Sequence, residues 1–458
     1  MKRQRHSSGA RATAFALLAA MVWFGSASAG DESEARRLSD SLAIVYELPG
    51  AEVPFDASAA GLVDYLAYAA EHSPALKAAF YHWTSVLERT GYVDALPDPW
   101  FSYSYFVKNV ETRVGPQNQI FRLRQSFPWF GTLGAKKDIS LEGAHAAYQK
   151  FESERLRLFY EVKAAYYEYY YLGRDIAVTR ENLELLTFWE SVARAKYRVA
   201  LSKHPDVIKA QVELGVLEDR LFTVEDMVDP VAARLRAVIN LPDTVSLPVP
   251  TEIDIEETAI DRESVIAQVL ANNPDLKSLL HLIDKDSAAK RLAGKSSWPS
   301  FFIGVDYIDM GEAVNPGLPD SGKDAFTASA GVSLPIWFGA NKARRQEAEA
   351  QYRKARYSFA EAENKLTAVT EKIVFEYKDA LRKTRLYRDG LLPKAEQSLN
   401  ANYTAYQAGE TDFLNLLDAQ RQLLDFQLQY ERSRSNLAIS RARIEMVTGR
   451  ALPTSGNE

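Results

Sequence analysis

Histidine side chains are the residues best suited to metal binding and to acid–base chemistry near neutral pH. The 458-residue chain carries six of them, and they show no metal-ligand spacing. We therefore expect neither a metal site nor a cofactor; the histidines are His6, His72, His82, His145, His204 and His281. The sequence also contains no G-x-x-x-x-G-K phosphate loop, no G-x-S-x-G nucleophile motif and no pair of carboxylates arranged for catalysis. These absences argue against an enzyme.

Residues 1–29 have the pattern of a secretory signal peptide. Basic residues precede a short apolar run, Ala14–Phe24, and an A-x-A-type site ends at Ala29. The alternative, an N-terminal membrane anchor, is disfavoured because the run is too short to span a bilayer. We expect a mature chain that begins near Gly30 and carries no lipid anchor, since no cysteine is present.

Charge and composition exclude further classes of protein. The chain has a net charge of −6, and loss of the basic leader makes it more acidic, so strong nucleic-acid binding is not expected. Without cysteines there are no disulfides, and stability must come from packing or assembly. No later apolar run approaches the length of a transmembrane helix, so any membrane crossing would use β-strands.

Recurring landmarks about two hundred residues apart indicate a tandem duplication. They are HSPALK at 72–77 with NNPDLK at 272–277, PWF at 99–101 with PSF at 299–301, WFG at 129–131 with WFG at 337–339, and Tyr197…Gln211 with Tyr406…Gln420. We expect an N-terminal segment (30–60), a first repeat (61–245), a proline-rich acidic linker (246–260), a second repeat (261–450) and a tail (451–458).

Each repeat has the same predicted plan. A helix (62–91; 262–295) precedes two strands (within about 100–127; about 301–335), and then a long helix follows (about 132–200; about 340–408, with a kink at Pro393). The strands alternate apolar and polar residues, which is typical of outer-membrane strands but also fits a soluble hairpin on a helical core. The long helices favour the first interpretation, because a globular domain has no use for them.

A proline–aromatic–glycine motif marks both predicted joints between strand and long helix. Proline ends a strand, glycine permits a turn, and large aromatic rings suit a membrane interface. An ordinary turn is the alternative. The joint residues are Pro128, Trp129, Phe130, Gly131, Pro335, Trp337, Phe338 and Gly339.

Together, the leader, the tandem halves, the joints and the long helices resemble the TolC-type outer-membrane efflux proteins, from about Leu62 to Arg450. The resemblance implies a mainly α fold with a β-barrel segment. Three copies would form one 12-stranded outer-membrane barrel that continues as a periplasmic α-helical barrel. It also implies a periplasmic adaptor protein, an inner-membrane pump of RND or ABC type, outer-membrane lipid around the barrel, and a Gram-negative host. Unpaired strand edges cannot face lipid, which independently favours an oligomer.

The resemblance also assigns sites at the periplasmic end. The turns that contact the adaptor correspond to Val199, Ala200, Leu201, Ala408, Gly409 and Glu410. Ala200 stands where the family has glycine, although alanine disfavours a positive φ. The gate position corresponds to Asp418, with Asn415 in place of a second acidic residue.

The predicted function is a passive export duct of a tripartite efflux or type I secretion system, for small molecules, metal ions or peptides. The rival is a periplasmic coiled-coil adaptor or scaffold without a pore. An adaptor would need a β-rich domain between hairpin helices, and no such segment lies there. The sequence does not identify the cargo or the class of pump.

Overall fold

A computed structural model describes residues 32–47, 60–200, 202–315 and 317–452. The predicted signal peptide, Leu201 of the first tip and residues 453–458 of the tail lie outside the described residues, as do residues 30–31 and 48–59 of the N-terminal segment. Within the described ranges, no helix combines the length and the apolar composition of a transmembrane span.

The fold is mainly helical with one small antiparallel sheet, which confirms that part of the expected architecture. The strands are β1 (Trp100–Tyr105), β2 (Glu111–Thr112), β3 (Gly115–Phe127), β4 (Phe301–Met310) and β5 (Ala325–Val332). The helices are α1 (Glu32–Glu47), α2 (Leu62–His72), α3 (Pro74–Arg89), α4 (Thr132–Arg198), α5 (His204–Asp226), α6 (Val228–Ile239), α7 (Arg262–Asn272), α8 (Pro274–Lys295), α9 (Phe338–Leu386), α10 (Leu392–Ala408) and α11 (Phe413–Thr448).

The described residues form two compact units, each built from separated stretches of chain. The helical unit comprises the described residues up to Tyr81, Gln149–Leu276, and those from Ala362 onward. The sheet unit comprises His82–Tyr148 and Lys277–Glu361. Each unit takes segments from both halves of the sequence, so the units do not coincide with the predicted repeats. The repeat boundaries stay a prediction.

Two helices that we expected to be continuous are each broken before a proline. Ser73 separates α2 from α3, and Asn273 separates α7 from α8. Proline disfavours a helical conformation for the residue before it. The Asn273 side chain then caps α8, accepting hydrogen bonds from the amides of Asp275 at 3.0 Å and Leu276 at 3.3 Å. The recurring HSP and NNP motifs are therefore helix boundaries, and the predictions of 62–91 and 262–295 as single helices were wrong.

The long helices differ from each other. α4 is unbroken over 67 residues, which corresponds to about 100 Å at 1.5 Å per residue. The second long helix is interrupted by a π-helical turn at Tyr387–Leu391, where the Leu392 amide donates to the carbonyl of Tyr387. Pro393 follows at once. It lacks the amide that a regular helix needs, and a wider turn accommodates its ring.

The sheet has the order β1-β3-β4-β5, with every neighbouring pair antiparallel and β2 paired to the start of β3. The register aligns Phe101 with Leu123, Leu123 with Val305, and Val305 with Ala328. Because side chains alternate along a strand, these four residues share one face of the sheet. Among the described strands, β1 and β5 each have one free edge.

The predicted linker is docked on the helical unit. We call residues 246–260 the strap. The strap's backbone carbonyls accept hydrogen bonds from the Tyr377 hydroxyl, to Thr258 at 2.7 Å, and from Arg441, to Glu256 at 3.1 Å. The carboxylate of Glu257 accepts from Arg385 at 2.9 Å and also from Arg388. Glu256 and Glu257 therefore hold the strap to α9, the π-helical turn and α11.

Candidate functional site

The first predicted tip turn lies between α4 and α5 and contains a strained residue. Ala200 adopts a left-handed conformation with φ of 59°, and its amide donates to the carbonyl of Tyr197 at 3.0 Å. The geometry that glycine would provide is thus present despite the alanine. After the turn, the Asp206 carboxylate accepts from the Lys203 amide at 3.2 Å and the Ser202 hydroxyl at 2.9 Å, which caps the start of α5.

The second predicted tip turn lies between α10 and α11 and is unstrained. Gly409 has φ of 79° and closes α10, while the Glu410 amide donates to the carbonyl of Ala405 at 2.9 Å. This is the usual left-handed helix ending, for which glycine carries no steric cost.

Lys196 connects the two tips. Its ammonium donates to the carbonyl of Gln407 at 3.0 Å and also to that of Tyr406, at the carboxyl end of α10. The same group lies 4.5 Å from the centre of the Tyr406 ring. A cation is favourable at a helix carboxyl end, because unpaired carbonyls carry partial negative charge there. The two turns are therefore held side by side as one surface.

The two predicted gate residues line one groove between α10 and α11. Asp418 and Asn415 come from α11 and face Ser398 and Asn402 of α10, around a volume of about 510 Å³. The Asp418 side chain is 69% exposed. Asn415 donates to the Thr411 hydroxyl at 2.8 Å. The groove is polar and open to solvent.

A cation beside the groove was not anticipated from the sequence. Arg421 lies 3.7 Å from Asp418 and donates to Glu213 of α5 at 2.9 Å. The hydrogen bond to Glu213 raises the pKa of Arg421 further above its already high ordinary value. Asp418 is thus part of an acid–base–acid group, and Arg421 offsets some of its negative field. The three-residue spacing of Asp418 and Arg421 on one helix could have revealed the pair.

The first joint packs a half-buried tryptophan against other rings of the sheet unit. The Trp129 ring stacks on Trp298 with centroids 4.8 Å apart and on Phe301 at 5.5 Å. Gly131 then turns the chain with φ of 72°. Lys295 donates to the carbonyl of Phe130 at 3.1 Å, which fixes the turn against the end of α8.

The second joint is built differently. Trp337 is 75% exposed and Phe338 is 76% exposed, and no ring contact involving either is found among the described residues. Gly339 is already the second residue of α9 and has no positive φ. Our expectation that Gly339 makes the turn was therefore wrong. The chain instead turns after Pro335, where the Phe338 amide donates to the carbonyl of Ile336 at 3.0 Å.

The sheet presents two chemically distinct faces. One is apolar and exposed, with members such as Phe101, Tyr103, Leu123, Ile303, Phe326 and Val332. The other carries polar groups. Arg122 there lies 3.9 Å from Asp306 and donates to Ser104 at 3.4 Å. Gly331 leaves room on this face for the Phe302 ring, which a Cβ would overlap.

Comparisons with known proteins match this architecture. Residues 265–450 match the family model described as "Outer membrane efflux protein". The outer membrane protein VceC of Vibrio cholerae superimposes with a TM-score of 0.66 at 16% identity, over 86% of this chain and 97% of that one. The outer-membrane channel OprN gives 0.70 at 15% identity, over 85% and 89%. The CmeC outer membrane channel of Campylobacter jejuni gives 0.64 at 15%, over 86% and 87%. No curated protein sequence matches the chain.

Proposed function

Residues 265–450 carry the outer membrane efflux protein domain, and from this premise we propose that the chain is the outer-membrane channel-tunnel of a tripartite efflux or type I secretion system. The resemblance inferred from the sequence is confirmed at the level of the family. Channels of this family act with periplasmic adaptors and inner-membrane pumps and are homotrimers. They are not enzymes. The family belongs to the outer membrane and periplasm of Gram-negative bacteria.

The two-faced sheet carries the proposal. Its apolar face is exposed, and its other face holds Arg122, Arg124 and Asp306. Its two outer strands each have an edge that no other described strand pairs with. An isolated sheet with this pattern is unstable in lipid, because its edge amides and carbonyls have no hydrogen bonds. Closure by further copies satisfies the edges, places the apolar face against lipid and turns the charged face toward a water-filled pore.

The helical part supplies the periplasmic duct in this proposal. The two tip turns, held together by Lys196, form the surface that meets the adaptor, and the groove containing Asp418 and Asn415 narrows the duct near that end. Transport would be gated diffusion, driven by an inner-membrane pump of RND or ABC type. We further propose that the chain arose by duplication, is exported by its leader and carries no lipid anchor.

A pore-free periplasmic scaffold is the alternative. It explains the long helices, but it gives no role to a sheet whose apolar face stays open to solvent. Large exposed apolar surfaces need a partner or a membrane. The sheet therefore favours the channel.

Single-channel recording distinguishes a channel from a pore-free scaffold. The purified full chain, reconstituted into a planar lipid bilayer, should give discrete, long-lived conductance steps. A scaffold should bind neither detergent nor bilayer and should give no steps. The absence of conductance from protein that is folded by circular dichroism and inserted in the bilayer would overturn the proposal.

A further inference from the structure

Three side chains with metal-binding atoms meet inside the sheet unit. Glu142 and His145 lie one turn apart on α4, and His281 reaches them from α8. One ligand atom from each residue lies within 4.8 Å of the other two. His281 Nδ1 is 2.8 Å from Glu142 Oε2, and His145 Nδ1 is 3.8 Å from the same oxygen. The histidine spacing in the sequence did not indicate this group, and the expectation of no metal site stays a prediction that the group calls into question. The sequence conceals the set because 139 residues separate Glu142 from His281.

His145 gives a second, independent reason to look for a ligand. The residue is only 8% exposed, and its Nε2 has no hydrogen-bond partner among the described residues. Its Nδ1 has a carboxylate oxygen at 3.8 Å, which is beyond hydrogen-bond distance. Buried polar side chains almost always have a partner. Among the described residues, the buried Nε2 of His145 therefore lacks the partner that such atoms ordinarily have.

We propose that Glu142, His145 and His281 bind one divalent transition-metal ion, with zinc as the best-suited ion. Two imidazole nitrogens and one carboxylate oxygen form a common zinc ligand set, in which water occupies the fourth tetrahedral position. Softer or harder ions are less suited, because thiolates are absent and only one oxygen ligand is present.

The geometry needs only small movements to accept the ion. With metal–ligand distances near 2.0 Å, tetrahedral ligand atoms lie about 3.3 Å apart. The contact between His281 and Glu142 would lengthen from 2.8 Å, and the contact between His145 and Glu142 would shorten from 3.8 Å. The ion would replace the hydrogen bond between His281 and Glu142. It would also fasten α8 to α4 within the sheet unit, independently of whether the chain forms a channel.

Zinc binding by the detergent-purified full chain tests the proposal. After treatment with a chelator, the protein would be titrated with Zn²⁺ by isothermal calorimetry, and wild type should bind about one ion per chain. Glu142→Gln and His281→Gln keep the size and polarity of the side chains. Each should weaken binding at least tenfold, since the loss of even an outer-shell partner costs about 10- to 100-fold. His82→Gln and His204→Gln remove exposed histidines elsewhere and should leave the affinity unchanged.

X-ray absorption at the zinc edge provides a readout that does not depend on the variants. Two imidazoles in the first coordination shell of the wild-type protein would agree with the proposal. Failure of the wild type to bind zinc, an equal loss of affinity in the control variants, or a shell without imidazole would each overturn it. In the last cases the three residues would be only a hydrogen-bonded contact between two helices.

Discussion

Ala200 adopts a left-handed backbone conformation that is sterically unfavourable for a residue with a Cβ atom. A left-handed conformation costs a residue with a Cβ roughly 1–2 kcal/mol, while glycine adopts it freely. Glycine also loses more conformational entropy on folding, which offsets part of the gain. Ala200→Gly should therefore stabilise the folded protein by up to about 1 kcal/mol, measured by thermal or chemical unfolding in detergent.

A neighbouring alanine provides the control for this prediction. Ala195 lies exposed in the last turns of α4, where the same change to glycine should cost about 1 kcal/mol. The two substitutions are chemically identical and should have opposite signs. If Ala200→Gly destabilises the protein as Ala195→Gly does, the left-handed turn is not present in solution.

Asp418 carries the next prediction at the residue scale, and it rests on the proposed channel. Three copies of Asp418 around one axis would form an acidic ring, which favours cations. Asp418→Asn should reduce the preference for cations and weaken block by trivalent cations added from the periplasmic side. Single-channel reversal potentials in a salt gradient should move toward zero in this variant.

A substitution of Arg421 should shift the ion selectivity in the direction opposite to that of Asp418→Asn. The guanidinium of Arg421 lies 3.7 Å from Asp418, so Arg421→Gln should strengthen the negative field and increase cation preference. Glu184→Gln, which removes an exposed acid of α4 outside the groove, serves as the control. Unchanged reversal potentials in both Asp418 and Arg421 variants, with open channels, would mean that selectivity is set elsewhere.

Single positions show what the sequence can and cannot predict. The resemblance identifies the turn at Ala200, but only backbone angles reveal that alanine adopts the conformation expected of glycine. Similarly, WFG recurs at both joints, yet Trp129 is stacked on Trp298 and Trp337 is exposed. Identical sequence motifs do not determine the packing partners of a side chain, because those partners come from distant segments of the chain.

At the scale of elements, the two joints should respond differently to the same change. Trp129→Ala removes two stacked ring contacts and should destabilise the protein by roughly 1–3 kcal/mol. Trp337→Ala removes an exposed ring, so unfolding should hardly change. If the second joint lies at a membrane interface, Trp337→Ala should instead make the protein easier to extract from outer membranes with mild detergent.

The comparison of extraction and unfolding for the two variants checks this prediction. Circular dichroism should show that helical content is kept in both. Equal effects of both variants on unfolding would contradict the structural difference between the joints. Unaltered extraction of Trp337→Ala would mean that this joint is a plain turn.

The strap supplies a prediction about pH. Partial burial acts to raise the pKa of Glu257, but hydrogen bonds from Arg385 and Arg388 outweigh it, so the pKa lies below the ordinary value. A carboxylate with a depressed pKa contributes stability above its unfolded pKa of about 4.3, and this stability is lost as the pH falls through the folded pKa. Glu257→Gln should therefore lower the melting temperature at pH 7 and make less difference at lower pH.

Melting temperatures of wild type and Glu257→Gln between neutral and acidic pH give the measurement. Glu252→Gln changes an exposed acid of the same strap and should have little effect at any pH. A constant difference between Glu257→Gln and wild type across the pH range would show that the carboxylate charge is not what holds the strap.

Prolines explain why the elements were only partly predictable. Helical composition predicts that 62–91 and 262–295 are helical, but Pro74 and Pro274 divide both stretches, since proline restricts the residue before it. The helix is interrupted next to Pro393, as expected. The interruption is a π-helical turn, and this geometry depends on packing rather than on the proline alone. Proline positions in the sequence therefore predict where a helix is interrupted but not the geometry of the interruption.

At the scale of the whole molecule, the alternation of side chains predicts strands but not their pairing across the chain. β3 and β4 come from different halves of the sequence, and their pairing joins the two predicted hairpins into one four-stranded row. This long-range pairing also explains why the sheet unit combines both halves of the sequence. It leaves the edges of β1 and β5 as the only open ends of that row among the described strands.

Those edges lead to a prediction about assembly. A small transmembrane barrel needs at least about eight strands, and the four-stranded row of one chain is too short. Three chains would supply twelve. Native mass spectrometry in detergent should show a species of about three mature chains, and a stable monomer inserted in membranes would contradict the trimer.

Cysteine cross-linking can test how the copies join, because the natural chain contains no cysteine. Ser102 of β1 and Ser329 of β5 both lie on the polar face of the sheet. Within one chain β3 and β4 separate their strands, which places them about 14 Å apart at the usual strand spacing. A disulfide cannot span that distance.

A protein with cysteines at both positions, or at neighbouring residues on the same face, should therefore form disulfides only between copies of the chain. Pairing of β1 with β5 of the next copy predicts oxidised dimers and trimers on denaturing gels, while each single-cysteine variant should give no trimer. If no combination along the two strands yields a trimer, the barrel does not close through these edges.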